Sequence, residues 1–164
     1  TALDIFIVSF GLMGANMADL YYAKPVRSEW VYNRQKTASR RADKAEMRVS
    51  LPGELRCYLE RLEGARGGWW LNRLHEFASS KDFATARVNR CLRKWCEDNG
   101  EEVFTFYAAR HTWASLARKE GVDKATIDDA LGHKGSFQIA DIYAEKAWEL
   151  IQEANEKVLA LFEW

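Results

Sequence analysis

Three side chains able to do chemistry follow one another in the second half of the chain: Arg110, His133 and Tyr143. A guanidinium offers an anion a planar fork of donors, and an imidazole exchanges a proton near neutral pH. A phenol, with an ordinary pKa of about 10, is a nucleophile only where its phenolate is stabilised. Tyr107 stands three residues before Arg110, on the same face of any helix that holds both. Taken singly, each has a structural explanation. Arg110 could pair with Asp128 or Asp129, His133 could cap a helix, and Tyr143, after Ile139 and Ile142, could be a core aromatic. Their common order and spacing carry more information than any one of them.

The elements that must position these groups can be read outward from them. Thr105 is placed to cap a helix that carries Tyr107 and Arg110, runs through Leu116 and ends at Gly121, a residue suited to the left-handed position past a helix C-terminus. Asp123 caps a second helix, Lys124–Leu131, closed by Gly132 with His133 directly after it. Tyr143 lies ten residues beyond His133. Upstream, Glu29–Gln35 and Ala45–Leu51 alternate as two strands of a hairpin with one core face. The connecting loop holds Lys36, Arg40, Arg41 and Lys44, and is either a solvated loop or a finger laid on phosphates.

Elsewhere the pattern is helical. Ala2–Leu20 is apolar but interrupted by Asp4, Ser9, Asn16 and Asp19, so it reads as a buried core helix and not a membrane span, which needs about twenty clean apolar residues. Pro52 opens a helix with Leu55, Leu59 and Leu62 on its core side. Asp82–Asp98 puts Val88, Cys91, Leu92, Trp95 and Cys96 on one face and Arg87, Arg90 and Lys94 on another. The second stripe is a solvated face in most proteins and a phosphate-tracking ridge in one that binds DNA. The last segment carries an apolar stripe of Ala147, Leu150, Ile151, Ala154, Val158, Leu161 and Phe162, to be buried in its own core or on another subunit. The expected fold class is mainly α with a small antiparallel β-sheet (α+β).

Composition sets the outer bounds. The 164 residues, 48% hydrophobic and 13% aromatic, suit one globular domain with a sizeable core. Net charge is zero, which argues against a uniformly basic nucleic-acid binder, but the charge is uneven. Lys24, Arg27, Arg34, Lys36, Arg40, Arg41, Lys44 and Arg48 face three acidic residues in the same stretch, and from Asp141 to Trp164 six acidic residues face two basic ones. A local basic patch is compatible with DNA binding. Cys57, Cys91 and Cys96 are odd in number and without a disulfide spacing, as in a reduced, cytoplasmic protein. Cys91 and Cys96 with His75 lack the paired spacing of a zinc site, and no metal is expected. The chain opens on Thr without a signal peptide, as a fragment lacking its N-terminal part would.

Tyr107-Ala-Ala-Arg110-His111-Thr112, then Leu131-Gly132-His133, then Tyr143 resembles the catalytic half of a tyrosine recombinase, the family of phage and conjugative-transposon integrases. Tyrosine at 107, where many members have His, and the phrase Phe106-Tyr107-Ala-Ala-Arg110-His-Thr-Trp are similar to integrases of Bacteroides-type conjugative transposons. The resemblance covers the whole chain as a single catalytic domain, 1–164, without the N-terminal DNA-binding domains such integrases usually carry. It implies that Tyr143 attacks a scissile phosphodiester and becomes joined to the 3′-phosphate, that Arg110 holds phosphate oxygens, and that His133 hydrogen-bonds a non-bridging oxygen or moves a proton. Tyr107 completes the cluster, and Lys36 matches the hairpin lysine that protonates the leaving 5′-oxygen. His111 is read as structural, bonding backbone. Arg34, Arg40, Arg41, Arg87, Arg90 and Lys134 are the implied DNA contacts. The implied partners are double-stranded DNA and further recombinase subunits, a tetramer on paired sites, with no membrane and no cofactor.

One position departs from the family. Its first arginine falls in a Gly-x-Arg-x-x-Glu-Leu phrase, which here reads Gly14-Ala15-Asn16-Met17-Ala18-Asp19-Leu20, with Asn16 at the arginine's place. Some Bacteroides-type members carry that arginine just before the glycine, where this chain has Met13. The second phosphate-holding charge then comes from elsewhere, with Arg34 or Arg27 as candidates, or is absent. If it is absent, the chain is a relative that binds recombination sites without cutting them.

Overall fold

A computed structural model describes residues 1–35, 45–64, 67–133 and 147–164. Lys36, Arg40 and Arg41 in the hairpin loop, and Lys134 and Tyr143 further on, lie outside the described residues. Among the described residues, eight α-helices and two strands follow in order: α1 (Ala2–Gly11), α2 (Met17–Tyr21), β1 (Glu29–Asn33), β2 (Glu46–Ser50), α3 (Arg56–Glu63), α4 (Asn72–Phe77), α5 (Lys81–Asn99), α6 (Ala108–Lys119), α7 (Lys124–Ala130) and α8 (Trp148–Leu159). The described chain is mostly helical with one antiparallel pair of strands, as its periodicities predict.

Helix α1 is the hub. It is apolar on nearly every side, as a helix surrounded by others must be, and it packs on α3, α5 and α6. Ile5 and Val8 are fully buried, and Gly11 lies so close to Leu55 that a Cβ there would sit 2.6 Å from its side chain. Each large apolar side chain sealed into this core contributes about 1.5–3 kcal/mol.

The expected single helix over Ala2–Leu20 is broken between α1 and α2. Met13 (φ 56°) and Gly14 (φ 70°) take left-handed backbone, which stops an α-helix. Ser9 closes the break. Its carbonyl accepts from the Gly14 and Ala15 amides at 2.7 and 3.2 Å, and its hydroxyl donates to the Ala15 carbonyl at 2.8 Å. A side chain that reads as a polar interruption is therefore the device that turns the chain.

Strands β1 and β2 pair Trp30 with Val49 and Tyr32 with Met47. Trp30, Met47 and Val49 face the core, while Val31 and Arg48 face out, the period-two pattern the sequence carries. Ser80 caps α5 by accepting from the Phe83 amide, and Gly100 ends it in the left-handed conformation. The buried face of α5 is Ala84, Val88, Leu92 and Cys96. Cys91, expected on that face, is exposed, because spacing of four from Ala84 rotates the stripe away from it. Thr105, expected to cap α6 with its side chain, uses its backbone carbonyl, which accepts from the Ala108 amide at 2.9 Å; Tyr107 occupies the N-cap.

Helix α8 docks on its own chain, against α6, α7 and β2. Ile151, Ala154, Val158 and Leu159 are buried as predicted, but Leu150 is half exposed and Leu161 and Phe162 lie past the helix end. Asn155 sits in the middle of the buried face. It accepts from the Trp113 indole N–H at 2.8 Å and donates to the Gly11 carbonyl at 2.9 Å, tying α8 to α6 and to α1. Replacing Asn155 with Ala leaves a buried donor and a buried acceptor without partners, each costing about 1–3 kcal/mol. Urea unfolding of Asn155→Ala is expected to show a loss of ~2–4 kcal/mol; a loss under ~1 kcal/mol would mean that α8 is not part of this core.

Candidate active site

The break between α1 and α2, the end of β1, the first turns of α6 and the turn after α7 meet at one place, and two arginines occupy it. Arg110, on α6, is 5% exposed. Its Nη1 donates to the Gly14 carbonyl at 3.1 Å and its Nη2 to the Leu131 carbonyl. Arg34, the residue after β1, is 7% exposed, and its Nη1 donates to the Gly132 carbonyl at 2.8 Å. Two guanidiniums thus hang from consecutive carbonyls of one turn. A helix C-terminus presents such carbonyls because no later amide of the helix reaches them.

Two glycines make this approach possible. Gly14 is left-handed, and a Cβ there would lie 2.4 Å from the Arg110 Cα, inside its backbone. Gly132 (φ 61°) faces the Arg34 Cδ and the Met47 Sδ, at 3.1 and 3.0 Å from where its Cβ would be. The Leu-Gly-His phrase is therefore a contact surface for the hairpin as well as a helix stop.

Asp19 is the carboxylate of this cluster and is 5% exposed. Burial raises its pKa, opposed by the Gln35 amide and by the charges of Arg34 and Arg110. The Gln35 amide donates to its Oδ1 at 2.8 Å, pinning the residue that leads into the basic hairpin loop. Asn16 completes the group: with its amide turned so that the oxygen meets the guanidinium, it accepts from Arg34 Nε and Nη2 at 3.3 Å each. Arg110 is shifted down, by burial first and then by the neighbouring charge of Arg34. Burial, with the nearby Asp19 charge, pushes the Tyr32 phenol well above its ordinary value, which disfavours a phenolate there.

The other predicted residues fall as follows. His133 follows the turn directly, partly exposed, with its Nδ1 3.4 Å from Asp128 Oδ1. Tyr107 is half exposed and meets the ring of His111 edge-on at 4.7 Å. A cleft runs from Asn16 and Asp19 past Lys81 and Asn89 to Tyr107. Arg87 and Arg90 lie on the exposed side of α5, away from the cluster's carbonyls; Arg87 Nη1 donates to the Phe77 carbonyl at 2.6 Å and its guanidinium covers the Phe77 ring. His75 is engaged at Nε2 by the Tyr21 carbonyl at 2.7 Å, and among the described residues no group of three or more His, Cys, Asp and Glu could hold a metal ion. Also among the described residues, no helix is long and apolar enough to cross a membrane.

Sequence reasoning did not single out Asp19. The signal was present: it stands at the glutamate place of the Gly-x-Arg-x-x-Glu-Leu phrase, where a carboxylate within a buried stretch calls for a cation.

The electrostatics give His133 a definite sign. Burial, then the charge of Arg110, hold its pKa below the ordinary 6.5, while the Asp128 carboxylate pulls the other way. Its folded-state pKa lies below the unfolded one, so it costs no stability well above 6.5 and destabilises as pH falls through that value. At neutral pH the imidazole is a neutral donor and acceptor. A proton NMR titration is expected to place His133 below 6.5, and lower again in Asp128→Asn, which removes a carboxylate that favours the charged ring. A midpoint at or above 6.5 would contradict this picture of the site.

Residues 29–149 match the phage integrase family. No curated protein and no solved structure matches the chain. The matched segment runs from the start of β1 into the first turn of α8 and holds Arg34, Arg110 and the Leu131-Gly132-His133 turn, while Asn16 and Asp19 lie upstream of it. With a mostly helical body, a two-stranded antiparallel sheet and a basic cluster built where those elements converge, this chain belongs to the phage integrase family, the tyrosine recombinases of DNA.

Proposed function

We propose that this chain is the catalytic domain of a site-specific DNA recombinase that cuts and rejoins strands through a covalent tyrosine intermediate. The observation that carries the reading is the pair of buried guanidiniums, Arg110 and Arg34, clasping the carbonyls of Leu131 and Gly132 beside His133. Buried cations held mainly by neutral carbonyls need an anion, and a phosphodiester supplies one.

In this reading the Tyr143 hydroxyl attacks the scissile phosphorus. The new bond joins the tyrosine oxygen to the 3′-phosphate, the phenol proton passes to solvent, and the bond to the 5′-oxygen breaks. Lys36 delivers the proton that the departing 5′-oxygen requires. Rejoining reverses the step, with a 5′-hydroxyl attacking the phosphotyrosyl link and the phenol leaving. The link retains the energy of the phosphodiester, so no nucleotide cofactor is needed. Arg110 neutralises the crowded phosphorane, neutral His133 hydrogen-bonds a non-bridging oxygen, and Tyr107 offers its hydroxyl at the open edge of the cleft. Arg40, Arg41, Arg87, Arg90 and Lys134 follow the backbone of double-stranded DNA outside the scissile phosphate, where each contact adds salt-sensitive affinity without sequence preference. Further subunits, assembled as a tetramer on paired DNA sites, and a cytoplasmic location belong to the same reading. So does the kinship with conjugative-transposon integrases that Tyr107 suggests.

Asn16 motivates a second reading, a relative that holds recombination sites without cutting. One experiment separates the two. On a nicked suicide substrate, which traps the covalent complex, the unsubstituted chain is expected to form a 3′-phosphotyrosyl adduct. Tyr143→Phe is expected to form none while binding the same duplex. Duplex binding that weakens with salt, without adduct from either protein, would support the non-cutting relative; an adduct persisting in Tyr143→Phe would remove Tyr143 from its role.

A further inference from the structure

We propose that Arg34, at the end of β1, is the second phosphate-holding arginine of this site, and that Asn16 is its positioning partner. The inference rests on the recombinase reading above and names a residue for a role that Asn16 cannot fill.

Four observations carry it. First, Arg34 and Arg110 bond adjacent carbonyls, those of Gly132 and Leu131, so both guanidiniums are presented from one turn next to His133. Second, both arginines are more than nine-tenths buried, and among the described residues their hydrogen-bond acceptors are all neutral: the carbonyls of Gly14, Leu131 and Gly132 and the amide oxygen of Asn16. A purely structural arginine at such depth would be expected to meet a carboxylate directly. Asp19 acts on both only at longer range, and it cannot balance two positive charges. The pair is left with positive charge to spare, as a site for a phosphodiester requires.

Third, Asn16 stands at the arginine place of the family phrase and reaches the Arg34 guanidinium at Nε and Nη2. A guanidinium attached at 16 and one attached at 34 would therefore compete for the same space. The two positions hold one arginine between them, and in this chain it comes from the hairpin. Fourth, the bond from the Gln35 amide to Asp19 Oδ1 fixes the backbone next to Arg34, so the side chain starts from a held position. Arg27, the other candidate, lies before β1 at the outer cleft formed by Lys24, Pro25 and Glu29, and among the described residues it makes no hydrogen bond to the turn.

The test measures single-turnover adduct formation by the full chain on the suicide substrate, with thermal unfolding as a fold control. Arg34→Gln keeps a donor for the Gly132 carbonyl and removes the charge; it is expected to slow adduct formation about 10²–10³-fold, the usual effect of losing one charge-stabilising donor. The defect should shrink at least tenfold on a substrate whose scissile phosphate is a methylphosphonate, which carries one negative charge fewer, since a cation is then less needed; a merely structural role would leave the defect unchanged. Asn16→Arg alone is expected to bring no gain, because Arg34 already fills the space. Asn16→Arg combined with Arg34→Gln should recover at least tenfold over Arg34→Gln. Normal cleavage by Arg34→Gln, an equal defect on both substrates, or faster cleavage by Asn16→Arg with Arg34 in place would each overturn the inference. If the unsubstituted chain itself forms no adduct, the recombinase reading fails and takes the inference with it.

Discussion

The site depends on two neighbouring positive charges being held out of water. Burying a guanidinium without compensation costs several kcal/mol, and like charges side by side lower each other's affinity for the proton. The protein meets this with backbone dipoles. The carbonyls of Leu131 and Gly132 are available because α7 ends there, and that of Gly14 because α1 has stopped three residues earlier. Three of the elements bordering the cluster are therefore cut short at it: a helix break, a strand end and a helix stop. Continuous secondary structure would have consumed the acceptors internally.

That arrangement explains why the hub of the core and the site are the same region. Helix α1 packs on α3, α5 and α6, and its C-terminal break is fixed by the Ser9 hydroxyl and by the Gly11 carbonyl's bond from Asn155. Trp113 lies one turn after Arg110 on α6, fully buried, with its indole N–H on Asn155. A disturbance of α8 thus reaches the arginine through one asparagine and one tryptophan. Packing, hydrogen bonding and the geometry of the guanidiniums are here parts of one network.

Much of this was legible in the sequence. The alternation of Trp30, Met47 and Val49 defined the hairpin, the Asp123 cap and Gly132 bounded α7, and the order of Arg110, Leu131-Gly132-His133 and Tyr143 pointed to the family. What escaped was set by tertiary contact. A left-handed Met13 cannot be read from an apolar run, since nothing local favours that conformation in a methionine. Asn155 looks like a polar gap in an amphipathic stripe until its two buried partners are seen. Arg34 reads in the sequence as one of two candidates, with Arg27, for the second charge, and only the fold shows that it turns inward. Buried polar groups are the least predictable part of a sequence because their partners are distant in it: Asn155 and Gly11 are 144 residues apart, Arg34 and Gly132 98.

The space opposite Gly14 is filled by the backbone of α6, so position 14 admits glycine alone whichever residue stands at 16. Positions 16 and 34 carry no such restriction and can exchange side chains, provided one of them is an acceptor for the other. Divergence in this site would then run along that exchange and not along the glycine. A search for relatives built the same way should begin from a glycine followed two residues later by something other than arginine, with an arginine closing the first strand of the hairpin.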